Sequence, residues 1–157
     1  AFTGLGAPYW DQQTRGAMFG IMRSTTKADI VRATVESLAY QTNDVILAME
    51  NDTDLKMDHL VTDGGAAVND YLQQFQSDLL QLPVQRPEQL ETTALGAAFL
   101  AGLGVGFWQD VDDLPVLTAV DIKLPDASKR DEMAQTYRRW QKAVAAAQTF
   151  PLQDDFS

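Results

Sequence analysis

Gly64, Gly65 and Asn69 stand within the stretch VTDGGAAVND (61–70), and no other part of this 157-residue chain pairs residue types so well suited to holding a ligand. Two glycines in a row leave a turn without Cβ atoms, so a ligand can lie against the main chain. Where such a turn joins the carboxyl end of a strand to a helix start, free N–H groups and a partial positive charge favour an anion. Asn69 follows Gly64 by five residues. Its amide donates and accepts at once, which suits an adenine edge or a ribose. The plain alternative is a turn that needs φ > 0, with Asn69 only capping the helix, and the pattern alone favours that alternative. Asp63 ends the strand ahead of the glycines. An aspartate so placed more often bonds nearby backbone N–H groups than acts as a base, so no catalytic residue is assigned to this chain.

Composition narrows the chemistry further. The chain has no cysteine, which excludes a disulfide framework, a thiolate metal site and a cysteine nucleophile. Its one histidine, His59, precludes a multi-histidine metal site, and no metal ligand is assigned. His59 beside a strand reads as a surface or packing residue. Twelve basic against 22 acidic residues give a net charge of −10, which argues against a nucleic-acid partner. A phosphorylated ligand would then rely on backbone N–H groups or a bound cation. No apolar run approaches the ~20 residues that span a bilayer, so no membrane insertion is expected. Tyr9 and Trp10 either stack on a ligand or anchor a loop.

The elements that must position the glycine turn alternate. Residues 16–22 (GAMFGIM) read as a short strand. Thr26 with Asp29 forms a capping box, opening a helix over about 27–50. Val31, Val35, Leu38, Val45 and Met49 mark one face of it, with Thr42 filling the gap. Residues 58–63 read as a strand. Asn69 to Leu80 reads as a helix with Leu72, Phe75 and Leu79 on one face, and 83–87 as a strand between prolines. Residues 91–106 read as a helix of small residues, whose Gly/Ala face over 94–102 suits close packing on a sheet. Residues 114–125 read as irregular with a short extended piece. Ser128 with Asp131 opens a last helix with Met133, Tyr137, Trp140 and Val144 in register. The acidic end, 153–157, reads as a solvated tail. Strands alternating with helices predict an α/β fold with a mainly parallel sheet flanked by helices. Three strands leave an open edge. With no methionine at its start, the chain reads as a piece of a longer one.

Four stretches carry a resemblance in the same order: AFTGLGAPYWD (1–11), residues 15–45, VTDGGAAVNDYLQQFQSDLL (61–80) and RPEQLETTALGAAFLAGLGVGFW (86–108). Together they resemble the FGGY family of carbohydrate kinases, whose fold is the actin/hexokinase/Hsp70-like (ribonuclease H-like) ATPase fold. The resemblance is strong over 1–108 and thins beyond. Residues 16–41 are similar to the family's second signature and Asp63-Gly64-Gly65 to its adenosine motif. GLGAPYWD is similar to the branch acting on glycerol rather than on a pentulose or hexulose.

The resemblance implies a cytoplasmic kinase that uses ATP and Mg²⁺ to phosphorylate the terminal hydroxyl of glycerol. It implies that the backbone of Gly65 lies near the α-phosphate and adenosine, and that the Asn69 amide bonds the adenine. Gly64 joins them because a side chain there would intrude on the nucleotide. It further implies that the catalytic aspartate, the glycerol-binding residues and the main phosphate-gripping loop lie upstream, with Mg²⁺ held mainly by the nucleotide and that absent part. Residues 1–157 are then the C-terminal portion of the ATP-binding domain, inactive alone, and the full-length parent is a homo-oligomer, dimer or tetramer. The alternatives are another sugar kinase of the family and a non-catalytic actin-like nucleotide-binding module.

Overall fold

Thr26 donates its backbone N–H and its hydroxyl to Asp29 Oδ2 at 2.8 and 2.7 Å, and the Asp29 N–H returns a bond to Thr26 Oγ1 at 3.3 Å. This reciprocal cap satisfies N–H groups that a helix start leaves unpaired, and α1 runs from it over Lys27–Thr53. The structure, a computed structural model, describes residues 1, 3–53, 55–115 and 118–150. The acidic stretch 153–157 lies outside those residues.

Beyond α1 the chain forms β1 (Leu60–Val61), a 3-10 turn (Gly65–Val68), α2 (Asp70–Leu80), β2 (Val84–Pro87), α3 (Thr92–Gly104), β3 (Ala119–Lys123) and α4 (Arg130–Gln148). The sheet order is β1-β2-β3. β1 pairs parallel with β2, Leu60 opposite Val84 and Val61 opposite Gln85. β3 runs antiparallel to β2, so the sheet is mixed where a mainly parallel one was expected. The third strand also arises elsewhere than predicted. Residues 16–22 form no strand, and Met18, Phe19, Ile21 and Met22 are all exposed. An extended run needs a neighbour to complete its ladder. Residues 119–123 find one in β2, and 16–22 find none among the described residues.

Ala39, Tyr40, Leu72, Phe75 and Met133 form the buried cluster, with Val35, Leu79, Tyr137 and Trp140 packed against it. Tyr40 meets the edge of Phe75 at 5.5 Å and stacks on Trp140 at 5.4 Å. The predicted faces of α2 and α4 are therefore the buried ones. The face of α1 is buried only in part, with Val35 packed against the cluster. Val31, Leu38 and Met49 are exposed, whereas Asn43 and Asp44 are buried beside Ala39, Tyr40 and Ile46. Position relative to α2 and α4, rather than apolar period, decides which side of α1 is covered. The predicted box of Ser128 with Asp131 is also replaced. Asp126 accepts from the Ser128 N–H at 2.9 Å and caps a 3-10 turn, Ala127–Lys129, that leads into α4. The small residues of α3 serve a local contact rather than the sheet. None of its residues is buried, and a Cβ on Gly102 would overlap the Trp108 indole.

Asp78 ties α2 to the start of α4. Its buried carboxylate accepts from Lys129 Nζ at 2.7 Å, the Asp126 N–H at 2.9 Å and Gln74 Nε2 at 2.9 Å. Burial pushes this carboxyl up, but the three donors and the Lys129 charge together outweigh it and hold it below its ordinary value. A depressed folded value means that the stabilisation is complete above the unfolded value, about pH 4, and is lost as pH falls through the folded one. Acid unfolding followed by circular dichroism is expected to begin below about pH 4. Asp78→Asn is expected to flatten that acid limb while lowering stability at neutral pH.

Candidate functional site

The site grows from the parallel pair. β1 and β2 point their carboxyl ends the same way, and the chain leaving each is cross-tied to the other. The Thr62 N–H donates to Gln85 O at 2.9 Å, and the Gly64 N–H donates to Leu90 O at 3.0 Å. Asp63 accepts from the hydroxyl of Thr92, the first residue of α3. Asp63 thus anchors a helix start, through a side-chain hydroxyl rather than the backbone N–H groups expected. Such a pair of adjacent parallel strand ends is where open α/β sheets bind ligands.

The two glycines are glycines for different reasons. Gly64 has φ 76° and ψ −178°, a backbone state essentially closed to residues with a Cβ. Gly65 has no positive φ, and a Cβ built on it meets nothing within 4 Å. Neither conformation nor packing within the described residues requires glycine at 65. Gly65 opens the 3-10 turn, in which the Ala67 N–H donates to Gly64 O and the Asn69 N–H to Ala66 O, both at 3.1 Å. Leading N–H groups of such a turn have no partner within it.

Asn69 Oδ1 accepts from the Leu72 N–H at 3.1 Å and caps α2. The expected cap is therefore real, and it commits the acceptor atom while orienting the exposed NH₂ group as a donor. Gly64, Gly65 and Asn69 come together on one continuous turn. Other residues weighed in the sequence lie apart from it. His59 bonds its neighbour Asp58 at 2.6 Å and is partly exposed. Trp10 is exposed, and Tyr9 turns toward Asp44 of α1.

Arg86 on β2 went unnoticed in the sequence. It donates Nη1 to Ala67 O at 3.0 Å, pairs through Nη2 with Asp121 of β3, and approaches Asp70 Oδ1 at 3.2 Å. Lys123 backs the same two carboxylates, at 3.1 Å from Asp121 and 3.5 Å from Asp70. Hydrogen bonding to Lys123 is the main cause holding the Asp121 carboxyl below its ordinary value, and the charges of Lys123 and Arg86 add to it. Only the register of β2 against β3, with Arg86 opposite Asp121, brings these groups together.

A sheet with a glycine turn at its parallel strand ends defines an α/β unit, and its likeness to solved kinases puts it in the actin/hexokinase-like ATPase class. Plasmodium falciparum glycerol kinase with ADP matches with a TM-score of 0.71 at 32% identity, covering 94% of this chain and 29% of that one. A xyloylose kinase from Brucella ovis matches with a TM-score of 0.75 over 92% of this chain and 31% of that one, at 23% identity, a likeness of fold alone. Residues 1–105 match the model of the "FGGY family of carbohydrate kinases, C-terminal domain", and the chain belongs to that family. Glycerol kinases of Listeria innocua and Ligilactobacillus salivarius are 53% and 55% identical to it over 150 residues. That alignment covers 96% of this chain, and the chain spans 30% of the length of these curated relatives.

Proposed function

We propose that this chain is the C-terminal portion of the ATP-binding domain of a glycerol kinase, and that Gly64, Gly65 and Asn69 form the floor for the adenosine end of ATP. The observation that carries this reading is the open space above Gly65, where a glycine stands although neither its φ nor any neighbour among the described residues demands one. A nucleotide laid against that backbone supplies the missing reason. The oriented NH₂ of Asn69 adds a donor for the acceptor edge of adenine, and 32% identity to a glycerol kinase crystallised with ADP supports the same ligand. Mg²⁺ bound with the nucleotide would neutralise phosphate charge during transfer. Among the described residues no group of three His, Cys, Asp or Glu side chains is placed to hold a metal.

Glycerol specificity, the catalytic base and the assembly of the full-length protein as a cytoplasmic homo-oligomer, dimer or tetramer, belong to this proposal as well. Curated relatives more than three times as long leave room for a second domain that carries the chemistry, so the 157-residue chain is inactive alone. No helix among the described residues is long and apolar enough to cross a membrane.

The test is an NMR titration of the chain with Mg·ADP, following the amides of Gly64, Gly65 and Asn69. Saturable shifts confined to them support the floor. Their absence, in both this chain and the full-length kinase, overturns it. In the full-length kinase, Asn69→Ala is expected to raise the KM for ATP about tenfold, the loss of about 1.4 kcal/mol, with the KM for glycerol nearly unchanged. Part of that loss comes through the weakened α2 cap. Unchanged ATP kinetics in a folded variant would defeat the assignment.

A further inference from the structure

We infer that Arg86 is a positioning residue for the nucleotide, acting through Asn69; the inference rests on the adenosine floor proposed above. One guanidinium meets the chain on both sides of Asn69, by a hydrogen bond on one side and an ion pair on the other. Two residues before it, Ala67 O accepts Nη1 at 3.0 Å, and one residue after it, Asp70 Oδ1 lies 3.2 Å from Nη2. Arg86 is itself fixed from below. It stands on β2 directly opposite Asp121, whose carboxylate takes the other share of Nη2, and its side chain is 20% exposed. A planar fork keeps its partners at set directions, which a flexible ammonium cannot do.

The consequence falls on a side chain that Arg86 does not touch. Asn69 Oδ1 is committed to the Leu72 N–H, so the direction of its NH₂ follows the backbone at 67–70. Ala67 O is held by the sheet through Arg86, and Asp70 begins α2. Without the fork, the 3-10 turn loses its side-chain bond to β2, Asp70 keeps only the longer contact with Lys123 at 3.5 Å, and the Asn69 donor is held less firmly toward a bound purine. Misplacement of a binding group by an ångström is enough to lose much of its contribution.

The test is steady-state kinetics of the full-length kinase carrying Arg86→Gln, Asn69→Ala and both together. Arg86→Gln is expected to raise the KM for ATP about tenfold, with kcat and the KM for glycerol within about twofold. In the Asn69→Ala background it should add less than about twofold, because the group it positions is already gone. Arg86→Lys, which keeps the charge but serves one partner at a time, should fall between wild type and Arg86→Gln and covers the case in which Arg86→Gln does not fold. Additive effects in the double variant overturn the inference, as does a uniform loss in kcat and both KM values. If Asn69→Ala itself leaves ATP kinetics unchanged, the floor fails and the inference with it. If Asn69→Ala weakens ATP and neither Arg86 variant does, the inference alone fails.

Discussion

Gly65→Val is expected to weaken Mg·ADP binding by two orders of magnitude or more, about 2.7 kcal/mol, while the melting curve of the protein changes little. Gly65 does not sit at positive φ, and a Cβ there projects into open space with no described atom outside its chain neighbours within 4 Å, so the added side chain has room in the folded chain. What it occupies is the volume proposed for the nucleotide. The neighbouring substitution should differ by showing first in stability. Gly64→Val forces a branched residue to φ 76° and ψ −178°, a state that costs of order 1–3 kcal/mol. That cost appears in the melting temperature before any ligand is added. Calorimetric titration with Mg·ADP alongside thermal melts of both variants separates the two cases. A Gly65→Val protein that binds normally would mean that the open space is not the nucleotide's.

The parts of this turn that could be read from sequence are those whose causes are local. Asn69 caps α2 because its amide reaches an N–H three residues on, and that needs no knowledge of the fold. Leu72, Phe75, Met133 and Val144 are buried as their periods predict, because α2 and α4 are amphipathic helices lying against one another. Arg86 was illegible because its partners Ala67 and Asp121 are 19 and 35 residues away, and a strand register must exist before the three meet. The same reason explains the displaced third strand. Residues 16–22 have strand-like composition, but a ladder is a property of two segments, and β2 pairs with 119–123 instead.

Apolar pattern misled most on α1 and α3. Val31, Leu38 and Met49 form a helical stripe that no described element covers, and Leu100, Val105 and Phe107 stand exposed at the end of α3 and just beyond it. Such a pattern records which surface is suited to burial, and an element must still arrive to bury it.

Asp44→Ala is expected to cost this chain roughly 2–4 kcal/mol. Asp44 is buried on α1 and accepts from Tyr137 Oη at 2.5 Å and Trp140 Nε1 at 2.8 Å, both on α4. Each partly buried donor left without an acceptor costs about 1–3 kcal/mol. Asp44→Asn keeps one oxygen and should lose less, so a graded fall in the urea midpoint at constant slope identifies the missing acceptor as the cause. The tyrosines provide a second reading. Burial first, then the Asp44 charge and hydrogen bond, push Tyr9 up to about 12, and burial followed by the bond and charge of Asp44 raises Tyr137 well above its ordinary value. A raised folded value means that this contribution is complete below about pH 10 and is lost as pH rises through the folded values. In Asp44→Asn the charge is removed and burial remains, so both phenols should titrate nearer the ordinary range. Tyr71, also pushed up to about 12 but by burial and Glu36, should not move. Tyrosinate absorbance followed against pH in wild type and Asp44→Asn therefore carries its own control. A shift of all raised tyrosines together would mean that the helices had loosened generally, and unshifted Tyr9 and Tyr137 would remove Asp44 as the link between α1, α4 and the N-terminal loop.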